Sequence, residues 1–334
     1  MSADPHHLTP APGPSRSATL SAPPSALARY RTHMILFALT VVSVFNSGRL
    51  MQEGAPLVDL SPSGLALGAS FALPLLAILV VHELGHYVAA RLHRVPASLP
   101  YFLPLPVLGP GTLGAVITMS DRIRSRRALL DIGAAGPIAG LLVAIPVLAW
   151  GLAESEVLPL GPGGYAQEGQ SLLYIALKQL VVGPIPEGYD VYLHPTAFAG
   201  WFGLLLTMVN LLPWGQLDGG HIAYAVLGER HHEIARWVRR GLLLVFVINV
   251  LRFGVPVLLG QSSMSPLMVL GNSMSWLIWY FVLGILSRVS GGPEHPPFEP
   301  GELGAGRRAL GWFCLVLFVL LFMPSPMTTY PGGG

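Results

Sequence analysis

Seven apolar stretches restrict what this chain can fold into. A helix needs roughly 20 mostly apolar residues to cross the hydrocarbon core of a bilayer. Stretches near this length lie at about residues 31–47, 65–92, 128–152, 195–227, 241–259, 266–288 and 309–323. Only 11% of the 334 residues are charged, whereas an ordinary soluble domain has about 25%. The sequence therefore predicts an all-α polytopic membrane protein with about seven transmembrane helices.

Two further stretches depart from the pattern of a spanning helix. Residues 97–119 are almost uncharged but rich in proline and glycine. Because proline breaks helices, we expect a re-entrant β-hairpin or loop, whose backbone must be satisfied by protein or by a cavity. Residues 171–182, which contain Lys178, are predicted to form a helix at the membrane surface.

The remaining segments set the domain boundaries. Residues 1–28, rich in proline, serine and alanine, are predicted to be a disordered tail. Residues 29–324 form one transmembrane domain with its core at 65–228, and residues 325–334 are a C-terminal tail. Arginines gather before the first apolar stretch and after the second, fourth and sixth, which predicts a cytoplasmic N-terminus. A net charge of +2 gives no argument for a nucleic-acid partner.

The second apolar stretch contains His82-Glu83-Leu84-Gly85-His86. Residues four apart share one face of a helix, so the two imidazoles can bind one metal ion with Glu83 beside them as a base. This is the spacing of zinc hydrolases. Two imidazoles and a carboxylate are also costly at membrane depth, which favours a functional role. The motif predicts a Zn²⁺ site, one per chain, with His82 and His86 as ligands.

A catalytic zinc has three protein ligands and leaves one position for water. Asp218 is the best candidate for the third ligand, because it lies in the polar run 210–220 where Pro213 interrupts the fourth stretch. The alternative is a carboxylate that caps a helix start. His221 is more suited to a structural role, since a fourth ligand would close the water position. Asn210 is either a catalytic hydrogen-bond donor or a polar contact between helices.

Several of these motifs together resemble the site-2 protease family of intramembrane zinc metalloproteases. The likeness is greatest to the subgroup that has a Gly-Thr-Leu-Gly-Ala hairpin, and this sequence shows no peptide-binding or nucleotide-binding accessory domain. The matching pieces are residues 82–86, 111–115, 131–137 and 210–220.

The resemblance implies the roles of the site residues. His82, His86 and Asp218 would be the zinc ligands, and Glu83 the catalytic carboxylate. Substrate would pair with the hairpin residues Thr112, Leu113, Gly114, Ala115 and Val116.

The resemblance also implies the activity. The chain would hydrolyse peptide bonds within or near transmembrane segments of other membrane proteins, in regulated intramembrane proteolysis. Its partners would be those substrates and the lipid bilayer, and it would be a multi-pass protein of a bacterial inner membrane. The sequence does not indicate an oligomeric state.

Two other functions stay open. One is a membrane metalloprotease in which a glutamate is the third ligand, although Glu229 and Glu233 lie in a basic connection. The other is a transporter or adaptor with a relic metal site.

Some polar and small residues are given structural roles. Gly136 and Gly140 are interpreted as helix-packing residues, and Asp131 as a residue that caps or orients the third span. His231 and His232 are interpreted as solvated residues of a charged connection.

Overall fold

A computed structural model describes residues 26–50, 61–106, 109–119, 123, 125–161, 163–289 and 301–332. The tail predicted for residues 1–28 lies almost wholly outside the described residues. The helices are α1 Ala26–Arg49, α2 Pro62–Leu92, α3 Arg126–Ala153, α4 Leu172–Val181, α5 Pro195–Asn210, α6 Asp218–Leu227, α7 His231–Leu258, α8 Pro266–Val289 and α9 Ala305–Leu321. The strands are β1 Tyr101–Pro104, β2 Thr112–Val116, β3 Glu156–Pro159, β4 Tyr165–Glu168, β5 Tyr189–Tyr192 and β6 Met327–Tyr330.

The predicted membrane class is supported by the length and composition of the helices. In the described part of the chain, four helical segments are long and apolar enough to cross a membrane: Pro62–Leu92, Arg126–Ala153, Asp218–Leu258 and Pro266–Arg288. Helices α5 and α9, of 16 and 17 residues, are shorter than the roughly 20 residues that a span requires. The count of seven crossings therefore stays a prediction.

Serine residues set the starts of three helices. The side-chain oxygens of Ser61, Ser125 and Ser171 accept hydrogen bonds from backbone N–H groups in the first turns of α2, α3 and α4. Such a cap satisfies a donor that the helix itself leaves without a partner. Pro62 follows the first of these caps, at a position where proline costs no hydrogen bond. These starts fix where the long apolar helices begin along the chain.

Helix α3 packs between α2 and α5, and small residues allow the close approach. A Cβ atom at Gly85 of α2 would lie 2.5 Å from the carbonyl oxygen of Ala135. On the other side of α3, a Cβ at Gly200 of α5 would lie 2.6 Å from the Cα of Leu148. Trp201 is buried in the same apolar core. The position of α2 relative to α3 matters below, because α2 bears the two histidines.

Strands β1 and β2 form the hairpin predicted in residues 97–119. They are antiparallel, with Tyr101 opposite Val116 and Phe102 opposite Ala115. The hairpin rests on α1, where the Phe37 and Phe102 rings are 4.9 Å apart. Its presence is confirmed, whereas its re-entry into the membrane stays a prediction.

Two more sheets make the all-α prediction incomplete. Strand β3 pairs with β5, and β4 pairs with β6, both antiparallel. Strand β6 belongs to the segment 325–334 that was interpreted as a tail. Each strand has four residues, so none has the length to give a clear alternating pattern. Strands β4 and β6, which pair with each other, are also far apart in sequence, so no local pattern predicts their pairing.

The interpretation of His231 as a solvated residue is wrong. Its relative exposure is 0%, and its ring lies 5.9 Å from the ring of Tyr224. The residue begins α7 immediately after a short 3-10 turn at Gly228–Arg230. That turn folds the start of α7 against the end of α6, which removes the histidine from solvent.

Candidate metal centre

The two histidines of the H-E-x-x-H motif lie on one face of α2, as their spacing predicts. His82 and His86 are both buried, and their Nε2 atoms are 3.2 Å apart. Two imidazole nitrogens this close are a suitable pair of ligands for a small cation. The intervening Glu83 is buried beside them.

Asp218 completes the group from a distant part of the chain. Its Oδ2 atom is 3.4 Å from Nε2 of His82 and 3.2 Å from Nε2 of His86. The carboxylate occupies the first position of α6, after the interruption at Pro213 that ends α5 at Asn210. It faces the imidazoles, so the structure brings together the three side chains predicted as ligands, whose binding of zinc stays a prediction.

The glycines after Asp218 make this turn possible. A Cβ atom at Gly219 would collide with the carbonyl of Leu211, and one at Gly220 with the carbonyl of Gly215. Gly215 itself has φ +55°, a conformation that favours glycine. The chain therefore folds tightly back on the start of α6 and directs Asp218 toward α2.

The spacing of the three donor atoms fits zinc. Ligand atoms about 2.0–2.1 Å from a tetrahedral zinc are about 3.3–3.4 Å from one another. The three separations here are 3.2, 3.2 and 3.4 Å. Two imidazoles and one carboxylate are also a zinc-hydrolase donor set with a position left for water. Among the described residues, these three side chains form the group of His, Cys, Asp and Glu that could hold a metal ion.

Helix α3 orients the imidazole of His86. Its Nδ1 atom is 2.8 Å from the carbonyl oxygen of Ile132. Because a carbonyl only accepts, Nδ1 carries the proton and Nε2 is free to bind a metal ion. Opposite the ring lies Gly136, where a Cβ atom would collide with it, and a Cβ at Gly140 would lie 3.0 Å from Nδ1 of His82. These two glycines therefore pack directly against the two histidines.

The three side chains open onto a cavity of about 140 Å³. Its other lining residues come from α2, the hairpin and the residues just after it, the end of α5, the turn before α6 and α6 itself: Glu83, Ala115, Val116, Ile117, Met119, Asn210, Gln216, Leu217 and His221. Nδ2 of Asn210 is 3.3 Å from Nε2 of His82. The cavity thus brings together a carboxylate, an amide donor and a strand beside the three donor atoms.

The profile of a known family, described as peptidase family M50, matches residues 70–251. This is more than half of the chain, and it includes every residue of the group above. The chain belongs to peptidase family M50. The resemblance to the site-2 protease family is thereby confirmed.

Relatives of this M50 chain are found in plant chloroplasts. It is 31% identical over 325 residues to the Arabidopsis thaliana protein named "Probable zinc metalloprotease EGY1, chloroplastic", covering 90% of this chain and 54% of that protein. It is 30% identical over 251 residues to "Probable zinc metalloprotease EGY2, chloroplastic" of Oryza sativa subsp. indica, covering 71% of this chain and 44% of that one. The M50 chain spans about half the length of these relatives. No solved structure matches it.

The hairpin residues of this M50 chain have different surroundings. Ala115 and Val116 line the cavity, and Leu113 is exposed on the same strand. Thr112 is instead buried within the hairpin, where its hydroxyl donates to the carbonyl of Leu103 at 2.9 Å and accepts from the N–H of Gly114 at 3.0 Å. A substrate-binding role for the five predicted residues stays a prediction.

Five lining residues lay outside the predicted site: Ile117, Met119, Gln216, Leu217 and His221. Gln216 and Leu217 belong to the polar run that singled out Asp218, so their position in sequence was an available signal. Met119 lies at the end of the proline-rich stretch and pairs with Ala97 through an isolated bridge. Its position depends on how the hairpin folds back, which no local pattern reveals.

Proposed function

We propose that this chain is a zinc metalloendopeptidase that cleaves peptide bonds within or near transmembrane segments. The observation that carries the proposal is the triangle of His82, His86 and Asp218 beside Glu83, in a cavity walled by strand β2. Membership of a peptidase family and relatives named as zinc metalloproteases support the same activity.

Each of these residues has its own role in the proposed hydrolysis. A zinc ion held by the three side chains would acidify a water toward a pKa of ~7 and polarise the scissile carbonyl. Glu83 accepts the proton from the attacking water and passes it to the leaving amine. The amide of Asn210 donates a hydrogen bond to the oxygen on which negative charge develops.

Strand β2 suits an extended substrate. A transmembrane helix hides its carbonyls in backbone hydrogen bonds, so it must unwind locally before water can attack. One edge of β2 is paired with β1, and residues 115–117 on β2 and just after it face the cavity. A substrate segment added along the other edge would be held open next to Glu83.

The two other functions are less well supported. A glutamate ligand is disfavoured, because the third donor in the described group is Asp218. A transporter or adaptor with a relic site would not need a buried glutamate between the two histidines, where burying a carboxylate is costly.

The finer proposals concern the setting of the reaction. We assign the chain to regulated intramembrane proteolysis in a membrane, with its N-terminus on the cytoplasmic side. The plant relatives are chloroplastic, so they give no support to the predicted bacterial inner membrane, which stays a prediction. Reporter fusions at both ends test the topology, since seven crossings require the two ends on opposite sides.

The test of the activity combines metal analysis with cleavage. The native protein in detergent should contain about one zinc per chain and cut a membrane-spanning reporter peptide. Glu83→Gln should keep the zinc and lose at least ~10²-fold in rate, because the base is removed. A His82→Ala, His86→Ala double variant should lose both zinc and cleavage. Substantial cleavage by Glu83→Gln would refute the proposed mechanism.

A further inference from the structure

A charged network outside the metal centre joins three helices. Asp131 of α3 accepts from the guanidinium of Arg307 of α9 through Nε at 3.0 Å and Nη2 at 2.8 Å. The other partner is His93, the residue that ends α2, whose Nε2 lies 2.8 Å from Oδ2 of Asp131. Of the two roles predicted for Asp131, capping α3 is wrong, because Ser125 is the cap of that helix. One carboxylate connects α2, α3 and α9.

The network lies where the register of α3 against α2 matters. Asp131 directly precedes Ile132, whose carbonyl accepts from Nδ1 of His86 at 2.8 Å. A slide of α3 by one residue is about 1.5 Å. That shift would break this hydrogen bond and move Gly136 away from the imidazole that needs its missing side chain. The bond between His93 and Asp131 joins α2 to α3 one residue away from this contact, so it opposes such a slide.

The third helix connects the network to the remaining ligand. Arg307 and Gly311 are four residues apart, so they share one face of α9. A Cβ at Gly311 would collide with Val226 of α6 and lie 3.2 Å from Leu130 of α3. Helix α6 begins at Asp218. Arg307 therefore connects Asp131 to the helix that packs against α6, at whose start the third ligand lies.

We propose that Asp131 is a positioning residue for the metal centre, acting through His93 and Arg307 on the helices that present the three ligands. The inference rests on the proposed function for its readout of activity. An ion pair that only stabilised the fold would affect Tm and leave the zinc affinity unchanged. Exposed pairs contribute little to stability, and Arg307 is about 41% exposed.

The experiment compares conservative variants in purified full-length protein. Asp131→Asn keeps the size of the side chain and removes its charge, and Arg307→Gln removes the double hydrogen bond from the other side. Arg308→Gln is the matched control, because it makes the same change on an exposed neighbour in the same helix. Three quantities are measured: zinc affinity by chelator competition, the visible spectrum of the cobalt-substituted protein, and kcat and KM on the reporter peptide.

We expect Asp131→Asn and Arg307→Gln each to lose about 10- to 100-fold in zinc affinity and kcat, the range typical of residues that orient metal ligands. The cobalt spectrum should change, KM should not, and the double variant should lose no more than the worse single one. Arg307→Lys, which keeps the charge, should recover part of the loss, and Arg308→Gln should match the native protein. The proposal is overturned if folded Asp131→Asn has native zinc affinity and a native cobalt spectrum.

Failure of this inference is separable from failure of the proposed function. Native protein that cleaves, with an inactive Glu83→Gln variant, supports the peptidase whatever Asp131→Asn does. Native protein that neither binds zinc nor cleaves overturns both. A fall in Tm alone, with an unchanged cobalt spectrum, shows that the network only stabilises the fold and contradicts the positioning role.

Discussion

The imidazole of His86 has contacts on two sides, and both come from α3. The carbonyl of Ile132 holds Nδ1, and the absence of a side chain at Gly136 leaves room for the ring. Gly136→Ala would push a methyl group into the imidazole, and α3 cannot retreat while Gly85 packs on the carbonyl of Ala135. We expect about 10- to 100-fold weaker zinc binding, measured by chelator competition.

The control for Gly136→Ala is a glycine with space around it. A Cβ at Gly241 of α7 has no neighbour within 4 Å. Gly241→Ala should therefore keep native zinc affinity and raise stability by roughly 0.5–1 kcal/mol, the usual gain inside a helix. Equal zinc affinity in the two variants would show that Gly136 does not constrain the histidine.

Asn210 tests whether a polar residue between helices also takes part in chemistry. Its Nδ2 atom lies 3.3 Å from Nε2 of His82, so it lies next to the point where charge develops. Asn210→Ala should lower kcat by about 10²–10³-fold, the usual loss of one oxyanion donor. Zinc content and KM should stay near native values.

The control is Asn249→Ala, which removes a buried amide that donates to the carbonyl of Pro324. It should lower Tm with no effect on kcat. If Asn210→Ala also lowers Tm alone, Asn210 is only a contact between helices.

At the level of elements, the hairpin depends on one buried hydroxyl. Thr112 bonds to the carbonyl of Leu103 on β1 and to the N–H of Gly114 on its own strand. Thr112→Val keeps the shape but leaves both groups without this partner, at a cost of about 1–3 kcal/mol. We expect a raised KM for the reporter peptide with native zinc affinity.

Thr118→Val is the control for the hairpin, because Thr118 is exposed and both of its hydrogen bonds to Ser98 use its backbone rather than its side chain. It should leave KM at the native value. KM is measured at a temperature where hydrogen exchange shows that the hairpin of Thr112→Val is loosened. A native KM under that condition would show that β2 does not hold the substrate.

The contacts within one element could be predicted from the sequence, whereas most contacts between elements could not. His82 and His86 are one turn apart on a single helix, so their meeting is a local property that spacing predicts. Asp218 was found because Pro213 and the glycines mark an interrupted helix, although its distance from α2 depends on how α3 and α5 pack. The link from His93 to Asp131 and Arg307 joins three helices through side chains with no common motif, so it was missed. The strands β3 to β6 were missed because each has four residues, too few for a clear alternating pattern.

At the scale of the whole molecule, a group of short elements adjoins the long helices. It contains β3, β4, β5 and α4, and the C-terminal strand β6 joins it. The backbone of this last segment is held by amide side chains: Asn249 of α7 donates to Pro324, and Asn272 of α8 bonds to both the N–H and the carbonyl of Thr329. Because β6 also pairs with β4, this last segment connects α7 and α8 to the residues that follow α3.

A buried cluster at α4 and β4 makes the stability of the protein fall at alkaline pH. The hydroxyl of Tyr174 donates to Glu168 at 2.7 Å, and Lys178 lies 3.1 Å from the same oxygen. Burial, followed by the charge of Glu168, raises the pKa of Tyr174 above its usual value of 10.0. In the unfolded chain Tyr174 ionises near pH 10, whereas in the folded protein it stays neutral. Its contribution to stability is thus present below pH 10 and is lost as the pH rises above that value.

We therefore expect the free energy of unfolding of the native protein to fall above about pH 10, measured by chemical denaturation in detergent. Tyr174→Phe should be less stable at pH 7, because Glu168 loses a hydrogen bond in a buried site, but its stability should fall less steeply above pH 10. Tyr189→Phe, which removes an exposed hydroxyl, is the control and should keep the native stability at pH 7. Equal slopes above pH 10 in the native protein and Tyr174→Phe would mean that Tyr174 ionises as readily in the folded protein as in the unfolded chain. Burial of Tyr174 against Glu168 would then make no contribution to the pH dependence of unfolding.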